Sequence, residues 1–557
     1  MKRIFILIFL LSFVCVKILS QDVKPEDVKF KIDTSKIKET KNEFILPEFV
    51  ITGRETIEVE IGEKIFSDVV NLPDVDFKLY KISYEGKITP DVSLSSERIS
   101  YLSKSVKNPV AKFKAGIGRY TTTYFDGMIQ GNVFKNFSVN SNFKHRASQG
   151  FIDNADYVKN QFSVGFDFEI PKVGEKFFHW VSNARISPLL SYSTYSFGFY
   201  GSSEPSFHRN INDLNLALSF ESPYHRDFDY VFKFDYSDFT LLDTISRYEG
   251  SSFEGREKRI DFGLKYRQNV DFLKLMFDVE YTMLVERYLK IDVSAGNLFE
   301  FFDAGKNYDL RFGVKFFSFE NYDRVQRTRI YPSASFKYLA GRSTQIYASF
   351  SPEVLNQTIA DYINVNRFLT KNLNIVRAEN YFNLAVGVRY GIENFGFDAG
   401  LNFKAFKNFP IYMEHKKGFY GIEFERAQFI ELKSSGYLNY GRSDFTFNVS
   451  LLSSYNARSK KPVPYYPNFS ANLGYSYKFA FGLAINSEIS LISSRVYDFE
   501  GSELRGFALV NLGAEFEVLK NFKIFANFDN LFSQRFYLWN SYLEPNFIFI
   551  GGIEYKF

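Results

Sequence analysis

"NFIFIGGIEYKF", residues 546–557, closes the chain. Side chains of a strand alternate between its two faces. Phe549, Gly551, Ile553, Tyr555 and Phe557 therefore share one face, and Ile550, Gly552, Glu554 and Lys556 share the other. A free edge this apolar would recruit other chains, so the stretch needs a partner strand within its own chain. The same period of two recurs far upstream. In "FDYVFKFDYS" (228–237), Phe228, Tyr230, Phe232, Phe234 and Tyr236 alternate with Asp229, Val231, Lys233, Asp235 and Ser237. In "KRIDFGLKYRQ" (258–268), Ile260, Phe262, Leu264 and Tyr266 oppose Asp261, Gly263, Lys265 and Arg267. "RSDFTFNVSL" (442–451) and "ALVNLGAEFEV" (508–518) repeat the pattern.

Composition separates a soluble β-sandwich, which also alternates, from a membrane barrel. Aromatic residues make up 19% of the chain, with 66 Phe and 37 Tyr. No apolar run beyond the first twenty residues approaches a transmembrane helix. Residues 108–557 carry the alternation throughout, far beyond the size at which single soluble cores stop growing. Rings on one face and charge on the other suit strands that meet lipid outside and a polar lumen inside. The expected fold is all-β, a single large transmembrane antiparallel barrel of about 18–22 strands. Short turns are expected at Lys135-Asn136, Glu393-Asn394 and Lys520-Asn521, with Asn supplying positive φ. Long polar loops are expected near 240–256, 287–307, 352–380, 408–428 and 492–503. Short turns on one side and long loops on the other is the polarity of an outer-membrane barrel.

The other end of the chain is different. Lys2 and Arg3 precede an apolar run from Ile4 to Val16, and Ser20 precedes an expected cut, so residues 1–20 read as a secretory signal peptide. The only cysteine, Cys15, lies inside it, and Val14 is a poor residue for a lipoprotein site. Without Lys2, Arg3 and Lys17, basic residues exceed acidic ones by one. That near-neutral balance gives no basic footprint for nucleic acid. Residues 21–107 hold 31 charged and only 8 aromatic residues and read as a short, partly disordered N-terminal periplasmic segment. Within it, Leu46, Pro47, Glu48, Phe49, Val50, Ile51, Thr52 and Gly53 form an apolar extended stretch with no core nearby. Such a segment can donate a strand to the edge of a partner sheet.

Two sets of residues resemble those of a known family. Leu504–Tyr537, with the turn at Lys520-Asn521 and the "DNLF" of Asp529–Phe532, is similar to the last hairpin of a TonB-dependent receptor. The terminal aromatic on an alternating strand (Phe549, Ile553, Tyr555, Phe557) resembles the signal by which the barrel assembly machinery recognises its substrates. Leu46–Gly53 resembles the TonB box, which implies a TonB-like periplasmic partner. One departure stands out: only the 54 residues Arg54–Lys107 separate that stretch from the barrel, too few for the family's globular plug. The opening hairpins, Lys114–Phe151, resemble those of plug-less receptor-like barrels of Bacteroidetes and related bacteria. The resemblance implies transport or reception of an unidentified ligand in the outer membrane of a Gram-negative-type bacterium. A passive porin, or a structural barrel that docks other envelope proteins, are the rival readings.

Catalysis has little to stand on. Five histidines are scattered along the chain; His145 and Ser148 in "HRASQG" have no identifiable partner acid, and a polar pair at a strand end is the simpler reading. No metal-ligand spacing appears, so no enzyme activity, cofactor or metal is expected.

Overall fold

A computed structural model describes residues 110–557 apart from 172–180, 182–183, 223–227, 245–251, 271–272, 286–288, 305–306, 322, 324, 342, 371–372 and 393. The signal peptide, the periplasmic segment and Leu46–Gly53 therefore lie outside the described residues. The main sheet consists of 23 strand pieces. Thr344–Phe350 and Glu353–Leu355 both pair with Ala378–Ile392 as parts of one strand, which leaves 22 barrel strands. This is the upper end of the sequence expectation.

Neighbouring strands pair antiparallel in chain order, beginning with Val110–Gly118, Thr122–Phe134, Phe137–Ser148, Tyr157–Glu169, Arg185–Gly198 and His208–Glu221. The final strand, Ile548–Lys556, pairs with Phe522–Asp529 on one side and with the first strand on the other, from Lys112↔Lys556 to Gly118↔Ile550. The sheet is closed, and the apolar edge anticipated from residues 546–557 does not exist.

The alternation sorts as the sequence requires. Phe232, Phe262, Leu264, Tyr266, Phe445, Leu451, Phe549, Ile553, Tyr555 and Phe557 are exposed on the outside, whereas Asp261 is buried against Arg259 and Thr282. A soluble protein hides such rings; a contiguous apolar exterior of this extent marks a lipid-facing surface.

The three short turns fall where the sequence puts them, between Phe134 and Phe137, Ile392 and Phe395, and Leu519 and Phe522. Their geometry differs from expectation at two of them. Asn136 and Asn521 are not among the residues with positive φ. Instead the register shifts between Asn132 and Phe134 and between Glu517 and Leu519. An extra residue beside the turn supplies the twist that a left-handed Asn would otherwise give.

The long loops need three corrections. Residues 289–304, expected in a loop, form a strand. The segment 408–428 is mostly strand, because Phe395–Lys416 and Phe419–Tyr440 run for 22 residues each and turn at 417–418. The segment 240–256 is strand up to Thr244 and again from Ser252. At 408–428 the polar residues that mimic loop composition, such as Asn408, Glu414 and Lys416, sit on the strands themselves.

Closure depends on close backbone approach at two glycines. A Cβ on Gly552 would lie 2.0 Å from the Ala115 carbonyl oxygen, and one on Gly118 would lie 2.2 Å from that of Phe549. A Cβ on Gly263, in mid-sheet, meets nothing nearer than 3.6 Å. Gly552→Val is therefore expected to abolish the compact, heat-modifiable form on unheated gels, while Gly263→Val retains it; a compact band for Gly552→Val would refute the seam.

Candidate functional site

The two ends of the barrel are built differently. One carries the short turns at 135–136, 441–442 and 520–521, together with the start of the first strand and the last residue, Phe557. The other carries the long connections 199–207, 356–377, 457–468, 493–506 and 530–547, and the tip of the long hairpin at 417–418. Short turns face the periplasm in barrels of this kind, so the long connections occupy the outer mouth.

Those connections fold inward and make a core of the ordinary soluble kind. Phe199, Tyr362, Phe368, Leu369, Tyr420, Tyr465 and Tyr542 are almost wholly buried in one cluster with wall residues Phe197, Phe239 and Leu241. Phe368 and Tyr542 stack with ring centroids 3.4 Å apart and planes 9° from parallel. Each such side chain contributes roughly 1.5–3 kcal/mol on burial. The hydroxyls are satisfied as well: Tyr542 donates to the Gly418 carbonyl at 2.6 Å, and Tyr420 to that of Asn540 at 2.7 Å.

The 356–377 connection supplies Tyr362, Ile363, Phe368, Leu369 and Ile375 to this core. It forms one short helix, Ile359–Val365, started by a capping box in which Thr358 and Asp361 exchange side-chain-to-backbone bonds. Glu257 from the wall accepts the Ile359 amide at 2.7 Å. The principal tie is Arg209, 1% exposed. Its Nε and Nη2 donate to Asp243 at 2.7 and 2.9 Å. Its Nη1 donates to the carbonyls of Arg367 and Leu369 at 3.0 and 2.5 Å, and its guanidinium lies 4.9 Å from the Phe199 ring centroid. One cation thus joins two wall strands to the inserted loop.

Among these loops and the adjoining strand ends lies a cavity of about 190 Å³. Its walls come from Tyr157, Lys159 and Tyr195 on the early strands, and its roof from Arg367, Phe368, Trp539 and Glu544. Burial pushes the Glu544 carboxyl above the usual carboxylate range.

The residues singled out in the sequence lie elsewhere. Phe549, Ile553, Tyr555 and Phe557 are exposed on the outer surface of the closing strand and do not join the inward-packed cap residues. His145 contacts Asn160 at 2.7 Å and Thr123 at 3.2 Å, and Ser148 contacts Thr122 and the Tyr120 carbonyl; neither contact supplies a carboxylate. The cap residues escaped notice because aromatic residues abound everywhere in this chain. The one usable signal was Thr358-Ile359-Ala360-Asp361, a helix start inside an otherwise β-patterned chain.

A closed antiparallel barrel with an occupied outer mouth defines a class, the large receptor-type barrels. Within it, the family model for the TonB-dependent receptor-like β-barrel matches residues 103–531, and the chain belongs to that family. Among solved structures it is similar to the FrpB iron transporter of Neisseria meningitidis, at 10% identity over 81% of this chain and 82% of that one, with a TM-score of 0.62. The ferric yersiniabactin uptake receptor FyuA of Yersinia pestis aligns at 10% identity over 82% and 81%, also with a TM-score of 0.62. The copper transporter OprC aligns at 13% identity over 82% and 81%, again at 0.62. At such identities the likeness is one of fold. No curated protein matches the chain by sequence. Barrels of this family reside in the Gram-negative outer membrane and are receptors and transporters, not enzymes.

Removing Arg209 strands the buried Asp243 carboxylate and two loop carbonyls, a loss of about 3–5 kcal/mol for a broken buried pair. Arg209→Ala is expected to make the 356–377 loop sensitive to added protease while the barrel stays heat-modifiable. Protection equal to the parent protein would show that Arg209 does not hold the loop.

Proposed function

We propose that this protein is an outer-membrane receptor that takes a small ligand at its capped outer mouth and passes it inward with the help of a TonB-like periplasmic protein. The observation that carries the reading is the cap: loops at the end opposite the short turns are packed over a cavity and pinned by Arg209. A passive porin keeps a water-filled path, whereas here the mouth holds an apolar core. The neighbours in fold are described as transporters of iron or copper or as a ferric yersiniabactin uptake receptor, which supports a transport role and leaves the ligand open.

Leu46, Pro47, Glu48, Phe49, Val50, Ile51, Thr52 and Gly53 are the segment proposed to meet the partner by strand addition. Support comes from topology. The described chain begins at Val110, which pairs with Gln130 close to the 135–136 turn, so it starts at the periplasmic end. Phe549, Ile553, Tyr555 and Phe557 are proposed as the row that the barrel assembly machinery reads and that afterwards rests in lipid. The missing room for a globular plug between Arg54 and Lys107 fits the plug-less type, in which the loop cap takes over closure of the mouth.

A photo-crosslinking residue at Phe49, irradiated in intact cells, is expected to yield a product with a TonB-like protein. A product formed only with the protein's own barrel would sink the partner reading and make Leu46–Gly53 a segment of the lumen.

A further inference from the structure

The outer face of the barrel is not uniform. On strands Phe137–Ser148, Tyr157–Glu169, Arg185–Gly198 and His208–Glu221, the outward residues eight or nine places from the periplasmic end are His145, Asn160, Thr194 and Asn212. They stand side by side in register, His145↔Asn160, Asn160↔Thr194 and Thr194↔Asn212. On six strands further along the sheet, the outward residues at the same place are Phe316, Ile330, Leu384, Phe403, Leu432 and Leu451. A strand rises about 3.4 Å per residue and tilts by about 40°, so this level lies roughly 21–23 Å above the periplasmic turns. That is inside an apolar band about 25 Å tall. One side of the barrel therefore carries a polar row where other strands meet acyl chains.

The row is linked within itself. The Thr123 hydroxyl lies 3.2 Å from one nitrogen of the His145 ring, and the other nitrogen lies 2.7 Å from Asn160 Oδ1. Asn160 Nδ2 donates to Thr194 Oγ1 at 3.1 Å, and the Tyr192 hydroxyl donates to Asn212 Oδ1 at 3.5 Å. A polar side chain that meets hydrocarbon without a partner is costly, and mutual bonding lowers that cost. None of the four is buried, so the row still faces its surroundings. It is one side chain tall: Phe143 and Phe162 flank it on the periplasmic side, and Ala147 and Val158 on the other. Four neighbouring strands span only about 14 Å. A stable protein partner needs about 800 Å² of each surface, of which so thin a polar line supplies a small part. No Lys or Arg stands in the row, so a phosphate would find no counter-charge there. His, Asn, Thr and Tyr both donate and accept, which suits hydroxyl and amide groups.

We propose that this face of the barrel holds the headgroup of a glycolipid of the outer leaflet, with sugar hydroxyls and amide groups bonded along His145, Asn160, Thr194 and Asn212. The leaflet thins beside these four strands to bring its headgroups down to the row, at a small cost per ångström. The contact lies on the outside of the wall and is independent of any ligand taken at the mouth.

The test offers the purified full chain in detergent two probes. One is lipid A, a glucosamine disaccharide with amide-linked chains, and the other is dioleoylphosphatidylethanolamine, which has no sugar. Bound lipid is read by native mass spectrometry, and heat-modifiability certifies that each variant is folded. Lipid A is expected to bind at least about tenfold more tightly than the phospholipid, the effect of a few added hydrogen bonds, and to keep that preference after its phosphates are removed. Asn160→Leu combined with Thr194→Val should abolish the preference, whereas Leu432→Val, at the same level on another strand, should leave it intact. Equal binding of the two lipids, binding of neither, a preference that survives the double substitution, or one that vanishes with the phosphates would each overturn the site. Disulfide-linked dimers of Asn160→Cys in membranes would overturn it as well, by giving this face to a second copy of the chain.

Discussion

In hydrocarbon an unpaired backbone amide has no water to turn to, and each one left open costs several kcal/mol. A sheet that crosses lipid must therefore close on itself. In this protein the requirement falls on one seam, where residues 112–118 meet residues 550–556. The glycines there let the two backbones approach, and the outward row from Phe549 to Phe557 covers the seam with rings. Once the sheet is closed, the inward and outward faces are fixed for all 22 strands, because a slip of one residue would turn every side chain to the wrong side.

A barrel of this width encloses a lumen that must be filled or left open. Here the filling visible in the described residues comes from the outer loops. They build a small soluble-type core across the mouth, with stacked rings, satisfied tyrosine hydroxyls and a buried Arg209–Asp243 pair. The arrangement inverts the usual order: apolar packing inside the mouth, polar strands below it, and apolar rings again on the outside. Buried ion pairs add little net stability but are costly to break, which suits a device that fixes where a loop sits. Because the same loop roofs the cavity, the tie that closes the mouth also positions Arg367.

Much of this architecture was legible in the sequence. Alternation in stretches such as 258–268 is a local property, so strand identity and the outward face followed directly from it. The turns at 135–136 and 520–521 also followed, because Lys-Asn interrupts two alternating runs. The bulges beside them did not, since twist is settled between strands and leaves no mark on one of them. Within hairpin 395–440 the stretch 408–428 has the look of a loop because Asn408, Glu414, Lys416 and Lys417 are loop-type residues, although Phe409, Ile411 and Tyr412 are buried. The cap was illegible for a different reason. Its members are tens to hundreds of residues apart, and in a chain where Phe and Tyr mark lipid they give no hint of which rings turn inward.

The account stands on the capped end facing the outside of the cell. The chain's one cysteine, Cys15, lies in the segment read as a signal peptide, so single cysteines can be placed on a silent background. Ala457→Cys, exposed beside the cap, and Lys520→Cys, exposed in a short turn, would be treated with a membrane-impermeant maleimide on intact cells. The account predicts labelling at 457 on intact cells and at 520 only after the outer membrane is permeabilised. Labelling at 520 on intact cells with 457 protected would contradict it.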